Sequence, residues 1–307
     1  MAYSRRSRFR RRRSYPRRYG RRNYRSTRPT RRGSYRRRSN RMSTRRVRNI
    51  ASRKCRDNML STPRNDAGET LPAAPYLMTG ENSYGFLFSP SFRSAGSIVG
   101  PDQRELSASA AERHKSKCYM RGYKETVEFE TNDSSSWLWR RIVFTAVGWG
   151  EGLAEYIAAN VNERGYGRLM YNLRNGDHEV LLGDIYDKLF EGRRTLDWVN
   201  PHTAKTDSRR VRVISDRLMT IQSPNSGSGR YRVLKRWYPV NKSIHYDDKE
   251  QGSGFKLSTG WASNAATGNA GDLLVFDLFD APAGSTADST MGMGTSGTYY
   301  WHEGSGR

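Results

Sequence analysis

The chain has 307 residues and a formal charge of +24, from 54 Lys and Arg against 30 Asp and Glu. It contains no run of ~18 apolar residues, which excludes a membrane-crossing helix, and no apolar segment follows the first charges as a secretory signal would require. The sequence predicts a soluble intracellular chain in which two widely separated cysteines, Cys55 and Cys118, remain reduced structural thiols.

The charge is placed very unevenly. Residues 1–56 hold 24 Arg and one Lys with no acid, whereas the remaining 251 residues hold 29 basic side chains against all 30 acids. A segment of that composition repels itself and has little to bury, so residues 1–56 are predicted to be a disordered arm when alone. Residues 57–307 are rich in branched and aromatic side chains and are predicted to form the folded domain.

The arm has the chemistry of a nucleic-acid ligand. Its cations include Arg5, Arg6, Arg8, Arg10, Arg11, Arg12, Arg13, Arg17, Arg18, Arg21, Arg22, Arg25, Arg31, Arg32, Arg36, Arg37 and Arg38, with Phe9, Tyr15, Tyr19, Tyr24 and Tyr35 set among them. Guanidinium groups pair bidentately with phosphate, and the interleaved rings stack on unpaired bases, so single strands suit this arm better than duplex. A disordered arm fixes no side chain in a groove, so binding is expected to be unspecific and steeply salt-dependent. Clusters such as "RRSRFRRRR" also have the form of a nuclear localisation signal, which makes a nuclear import receptor a second expected partner.

Along the body, "YGFLFSPSF" (84–92) reads as one strand set among the turn-rich segments that precede residue 115. In "GYKETVEFET" the alternation places Tyr123, Val127 and Phe129 on one face and Lys124, Thr126, Glu128 and Glu130 on the other, the period of a half-buried strand. "SSWLWRRIVFTAVGW" follows as a central strand, with Trp137 and Trp139 on one face as core or interface anchors. Arg140 and Arg141 are left open between a lumenal position and pairing with acids. Residues 153–162 and 179–190 are weak helix candidates. Three further strands are expected in 209–223, 231–246 and 271–280. The glycine-rich "PNSGSG" between the first two suits a hairpin, and Pro239 marks the second as an edge strand or a bent one. Many strands joined by long loops, without regular strand–helix alternation, predict an all-β antiparallel sandwich or barrel.

Nothing in the sequence points to catalysis. "GMGTSG" (292–297) has dinucleotide-loop spacing but leaves no room for the helix that such a loop requires, and reads as a flexible tail. His114, His178, His202, His245 and His302 show no metal-ligand spacing. Asp247, Asp248 and Glu250 cluster in "YDDKEQGSG", which reads as a surface turn or a subunit contact and lacks the ligand alternation of a calcium loop. No enzyme activity, cofactor or metal is expected.

The arm, together with "RKCRDNMLS" (53–61), "YGFLFSPSFR" (84–93), "CYMRGYKETVEFET" (118–131), "SSWLWRRIVF" (135–144) and "YPVNKSIHYDDKEQGSG" (238–254), resembles the capsid proteins of genomoviruses, small viruses of circular single-stranded DNA. The resemblance implies a single eight-stranded jelly roll, a T=1 shell assembled in the host nucleus, an inward-facing arm on the genome, and no catalysis. About 60 copies at +25 each would place roughly 1,500 positive charges inside the shell, matching a genome of one to three kilobases once mobile cations are included. A basic-tailed nucleic-acid-binding protein that forms no shell, of ribosomal or chromatin type, is the alternative. Its weakness is that the body is nearly neutral and offers no second basic groove.

Overall fold

The computed structural model describes residues 42–93, 111–149, 165–225, 227–251, 254–257 and 261–304, together with 153, 156 and 159–161. Disorder is expected of residues 1–56; residues 1–41 lie outside the described residues, whereas residues 44–51 form a helix and residues 53–56 begin a strand. The folded unit begins at Ser43, earlier than the charge boundary at 56/57. Ser43 caps helix α1, Thr44–Ala51, by accepting a hydrogen bond from the Arg46 N–H at 3.3 Å. Strand β1, Arg53–Pro63, follows at once. Its charges hide a period of two: Cys55, Met59 and Ser61 are buried while Lys54, Arg56 and Asn58 are exposed.

Twelve more strands follow among the described residues. They are β2 Tyr76–Thr79, β3 Tyr84–Phe88, β4 Lys117–Thr131, β5 Trp137–Ala146, β6 Ala159–Val161, β7 Gly165–Met170, β8 Arg212–Ile221, β9 Arg230–His245, β10 Asp248–Gln251, β11 Gly254–Leu257, β12 Asp272–Asp280 and β13 Thr290–Glu303. Helix α2, Glu179–Leu189, lies between β7 and β8.

Eight of these strands define the architecture. Numbered one to eight in chain order, β1, β3, β4, β5, β8, β9, β12 and β13 pair antiparallel as one with eight, two with seven, three with six and four with five. Two further ladders, β13 with β4 and β12 with β5, close the sheets β1-β13-β4-β9 and β3-β12-β5-β8. A long hairpin folded over on itself gives this nested pairing, and it is the jelly roll. The first sheet is extended at one side by β7, parallel to β1, and then by β6; β2 joins β13 beyond the end of β1.

β5 and β12 are buried on both faces, because α2 and the segment after it cover the outside of the second sheet. Leu182, Ile185, Tyr186 and Leu189 of α2 join Ile142, Phe144, Leu274 and Phe276 in one apolar cluster. This explains why both strands carry consecutive apolar residues, Ile142 to Phe144 and Leu273 to Phe276, and do not alternate.

Several sequence expectations change. Among the described residues before 115 there are three strands where one is expected: β1, whose charges hide its alternation, the four-residue β2, and β3. Ala159–Val161, expected as part of a helix, is strand β6, and most of the remaining 153–162 segment lies outside the described residues. "PNSGSG" is no hairpin turn: β8 and β9 belong to different sheets, and the segment crosses between them. The "GMGTSG" stretch is not a tail but part of β13, which runs between β1 and β4 at the centre of the first sheet. Pro239 does lie on an edge strand, opposite a bulge between Met120 and Gly122.

Candidate nucleic-acid interface

Two polar arrangements stand out, one inside the sandwich and one on its surface. The inner faces of the sheets carry two apolar clusters. One holds Tyr123, Val143 and Val275, the other Val127, Trp139 and Phe279. On β4, β5 and β12 the residue between those two clusters is ionised: Glu125, Arg141 and Asp277. On β7, Arg168 occupies the equivalent place between Tyr166 and Met170.

The four form a closed ring. Arg141 Nε donates to Asp277 Oδ1 at 2.6 Å and its Nη1 to Glu125; Arg168 Nη1 donates to Glu125 Oε1 at 2.6 Å and its Nη2 to Asp277. Two members come from each sheet, so the ring ties the sheets together. Trp139 Nε1 adds a bond to Asp277 at 2.7 Å, and the Tyr123 hydroxyl one to Glu125 at 3.0 Å.

Burial opposes ionisation of Asp277, but Arg141 and Arg168 hold its carboxyl below the ordinary value. Burial, and then Glu125, push the Tyr123 phenol well above its own. The side chains of the ring are at most 3% exposed and their charges cancel. A sealed neutral ring of this kind meets no substrate; it is a structural tie whose members are costly to remove singly.

The surface arrangement lies on the outside of the first sheet, where β1, β13, β4 and β9 run side by side. Cross-strand neighbours place Lys54 beside His302, Arg56 beside Tyr300, and Lys124 between Thr298 and Trp237. Trp237 is 47% exposed. Its ring meets that of Tyr300 edge to face at 5.8 Å and 68°, and Tyr119 lies 6.2 Å from His302. The bulge allows this arrangement. A Cβ on Gly122 would fall 2.3 Å from the Tyr238 carbonyl oxygen and 2.9 Å from the Trp237 ring, so the indole rests on bare backbone.

Two grooves follow this face, lined by cations where the near-neutral composition of the body predicts no second basic groove. One of about 270 Å³ is lined by Lys54, Cys55, Arg121, Lys124, Trp237, Tyr300 and His302. The other, about 780 Å³, lies under α1 and is lined by Arg46, Arg48, Asn49, Tyr119 and Ser243, with Lys54, Arg121 and His302 in common. Among the described residues no carboxylate lines either groove. Lys54 donates to the Ser52 carbonyl at 2.9 Å and to that of Asn49, so its ammonium closes the end of α1, and Arg121 donates to Asn241. Partial burial, then Lys54 and Arg121, hold the His302 imidazole below its ordinary pKa, a sign of the positive potential here. At the far end of the same face, Glu128 and Glu130 are exposed, so cations and carboxylates are separated along the sheet.

Of the residues singled out in the sequence, the arm from Arg5 to Arg38 lies outside the described residues. Trp137 and Trp139 are 0% and 1% exposed within a single chain, which makes them core and excludes them as interface anchors. Arg141 pairs with acids in the buried ring, and Arg140 pairs with Asp216 at 2.6 Å. Asp247 is half-buried, while Asp248 and Glu250 sit on β10 opposite Leu257 and Phe255. Among the described residues no three His, Cys, Asp or Glu side chains converge on a metal position, and no helix is long and apolar enough to cross a membrane. Cys55 and Cys118 are free and buried, and burial, then Glu303, raise both thiols, that of Cys55 to about 11.

The buried ring left a trace: Glu125 falls on the buried parity of β4, where alternation calls for an apolar residue, and Arg141 and Asp277 interrupt strands that are otherwise largely apolar. The surface platform left none, since it depends on β1 and β13.

No family model and no curated protein matches the chain. Among solved structures it is similar to an unassembled VP1 pentamer of Washington University polyomavirus, at 9% identity over 82% of this chain and 93% of that one, with a TM-score of 0.16. VP1 of Merkel cell polyomavirus in complex with 3'-sialyllactosamine follows at 8% identity, 82% and 76% coverage and a TM-score of 0.11. VP1 of trichodysplasia spinulosa-associated polyomavirus, at 8% identity and 81% and 76% coverage, also scores 0.11. These neighbours are viral capsid proteins. Scores so low carry no argument, and the jelly-roll assignment rests on the nested strand pairing of the chain itself.

Proposed function

We propose that this chain is the capsid subunit of a small single-stranded DNA virus of genomovirus type, with the folded unit from Ser43 onward tiling a closed T=1 shell of about 60 copies and the Arg-rich arm before it condensing the genome inside. One observation carries the reading: a jelly roll is joined to a preceding segment, residues 1–42, that holds 19 Arg and no acid and so most of the protein's net charge of +24. A near-neutral body lets copies meet edge to edge without mutual repulsion, while the concentrated cations supply the counter-charge for packed phosphates. The arm's arginine clusters serve first as the address for nuclear import and then, covered by DNA, as the genome contact. In this role the protein is structural and not an enzyme.

Electron microscopy of the full-length protein with circular single-stranded DNA tests this directly. Uniform closed particles holding nuclease-resistant DNA are expected. A chain beginning at Ser43, which keeps α1 and β1 intact, should fold and fail to retain DNA. Monomers under all salt conditions would support the basic-tailed binding protein instead.

A further inference from the structure

We propose that the outer face of the first sheet is a second single-strand contact, separate from the arm, in which Trp237 and Tyr300 stack on unpaired bases while Lys54, Arg121 and Lys124 hold the neighbouring phosphates. The inference rests on the capsid reading above, and the experiment separates the two.

Three observations converge. Trp237 is 47% exposed, whereas every other tryptophan is buried or half-buried, and Gly122 provides the bare backbone on which its ring rests. Trp237 and Tyr300 meet edge to face, so neither ring is used up in stacking on the other. The grooves beside them are lined by cations and, among the described residues, by no acid, which leaves a positive potential in need of an anion. Exposed rings beside a cationic track are the elements of a sequence-tolerant single-strand site. A second copy of this chain is a poorer occupant, because two such faces would bring like charges together. The folded unit begins at Ser43, on the wall of the larger groove. DNA held by the covalently attached arm is therefore kept at high effective concentration near this face.

The test uses the full-length protein with a 20-nucleotide oligo(dT) and an abasic strand of the same length, at a salt concentration high enough to weaken phosphate binding. Oligo(dT) should quench the Trp237 fluorescence, identified as the signal that disappears in Trp237→Ala. That variant should lose about tenfold of the preference for oligo(dT) over the abasic strand, the scale of one stacked base. Trp237→Phe should restore part of it. Lys124→Glu should weaken both strands alike and flatten the salt dependence by about 0.7 for each phosphate that is no longer neutralised. His302, followed by NMR, should titrate at higher pH when oligo(dT) is bound.

If Trp237→Ala keeps the full preference while the protein still binds DNA, the platform is refuted and the arm stands alone. Quenching of Trp237 on assembly of DNA-free shells would make this face a contact between copies and overturn the proposal. Failure of the full-length protein to bind either strand at any salt concentration would sink both readings.

Discussion

Cationic and aromatic side chains meet repeatedly among the described residues, and in two of these places the same chemistry has opposite surroundings. Between the sheets, Arg141 and Arg168 are locked to Glu125 and Asp277 with Trp139 and Tyr123 as further partners, and the ring is sealed. On the outside of the first sheet, Lys54, Arg121 and Lys124 surround Trp237 and Tyr300, with no carboxylate among the described residues that line the grooves. What separates a tie from a binding surface is the presence of counter-charges within the fold. A buried charge needs its partner in the same chain; an exposed one is free to find it in a ligand.

The contrast is broken most severely from the inside. Arg168→Met leaves Glu125 and Asp277 sharing one guanidinium and should cost about 3–5 kcal/mol in urea denaturation, the usual penalty for stranding a buried charge. Replacing all four ring members with apolar residues of similar volume should cost much less than that single change. If Arg168→Met is as stable as the parent, the ring is not a tie.

A second buried carboxylate tests the same rule from the other direction. Among the described residues Asp272 meets no cation; it accepts from Ser91 Oγ at 3.0 Å and from Ser263 N and Oγ at 2.9 and 2.8 Å, and burial raises its pKa to about 6. A carboxyl with a raised folded pKa contributes stability that is complete below its unfolded value of 3.8 and is lost as pH rises through about 6. Between pH 4 and pH 7 the change is on the order of 3 kcal/mol. His245 and His302, held below their ordinary value mainly by burial, act in the opposite sense as pH falls. The clean measurement is therefore the difference between the parent and Asp272→Asn, in which the histidine effects cancel. That difference should vary with pH across this window, and a flat profile would contradict the assignment.

A smaller effect is expected where the ring meets β13. A Cβ on Gly297 would lie 2.1 Å from the Tyr123 hydroxyl, and Tyr123 is fully buried. Gly297→Ala should cost about 1–3 kcal/mol by overpacking. Smallest of all, Lys124→Glu and Arg56→Glu on the outer face should change stability by no more than about 0.5 kcal/mol, because exposed charges contribute little. A large loss from either would mean that the platform is structural after all.

These differences also explain what was legible in the sequence. β4, β5, β9 and β12 announced themselves because tryptophan, tyrosine and branched residues recur there with a period of two or in unbroken runs. β1 did not, since Lys54 and Arg56 carried the composition of the arm into a strand whose inward residues are few. β13 was unreadable for a different reason. Gly292, Gly294 and Gly297 give it a poor propensity, and it becomes a strand because ladders on both sides supply its hydrogen bonds. The surface platform draws on both of these strands, so it could not emerge before them. The ring needed only Glu125 to be read against the parity of β4, and Arg141 and Asp277 against the apolar residues on either side of them.

The central place of β13 also sets an order of events in time. β1 is completed at residue 63, yet the partner that fills the gap between it and β4 is not made until residues 290–303. At a synthesis rate of about 5–20 residues per second, the first strand waits on the order of 10–50 s for its neighbour. Throughout that interval the first sheet is still split. Removing β13 would leave not a trimmed domain but one with a cleft through the middle of its first sheet.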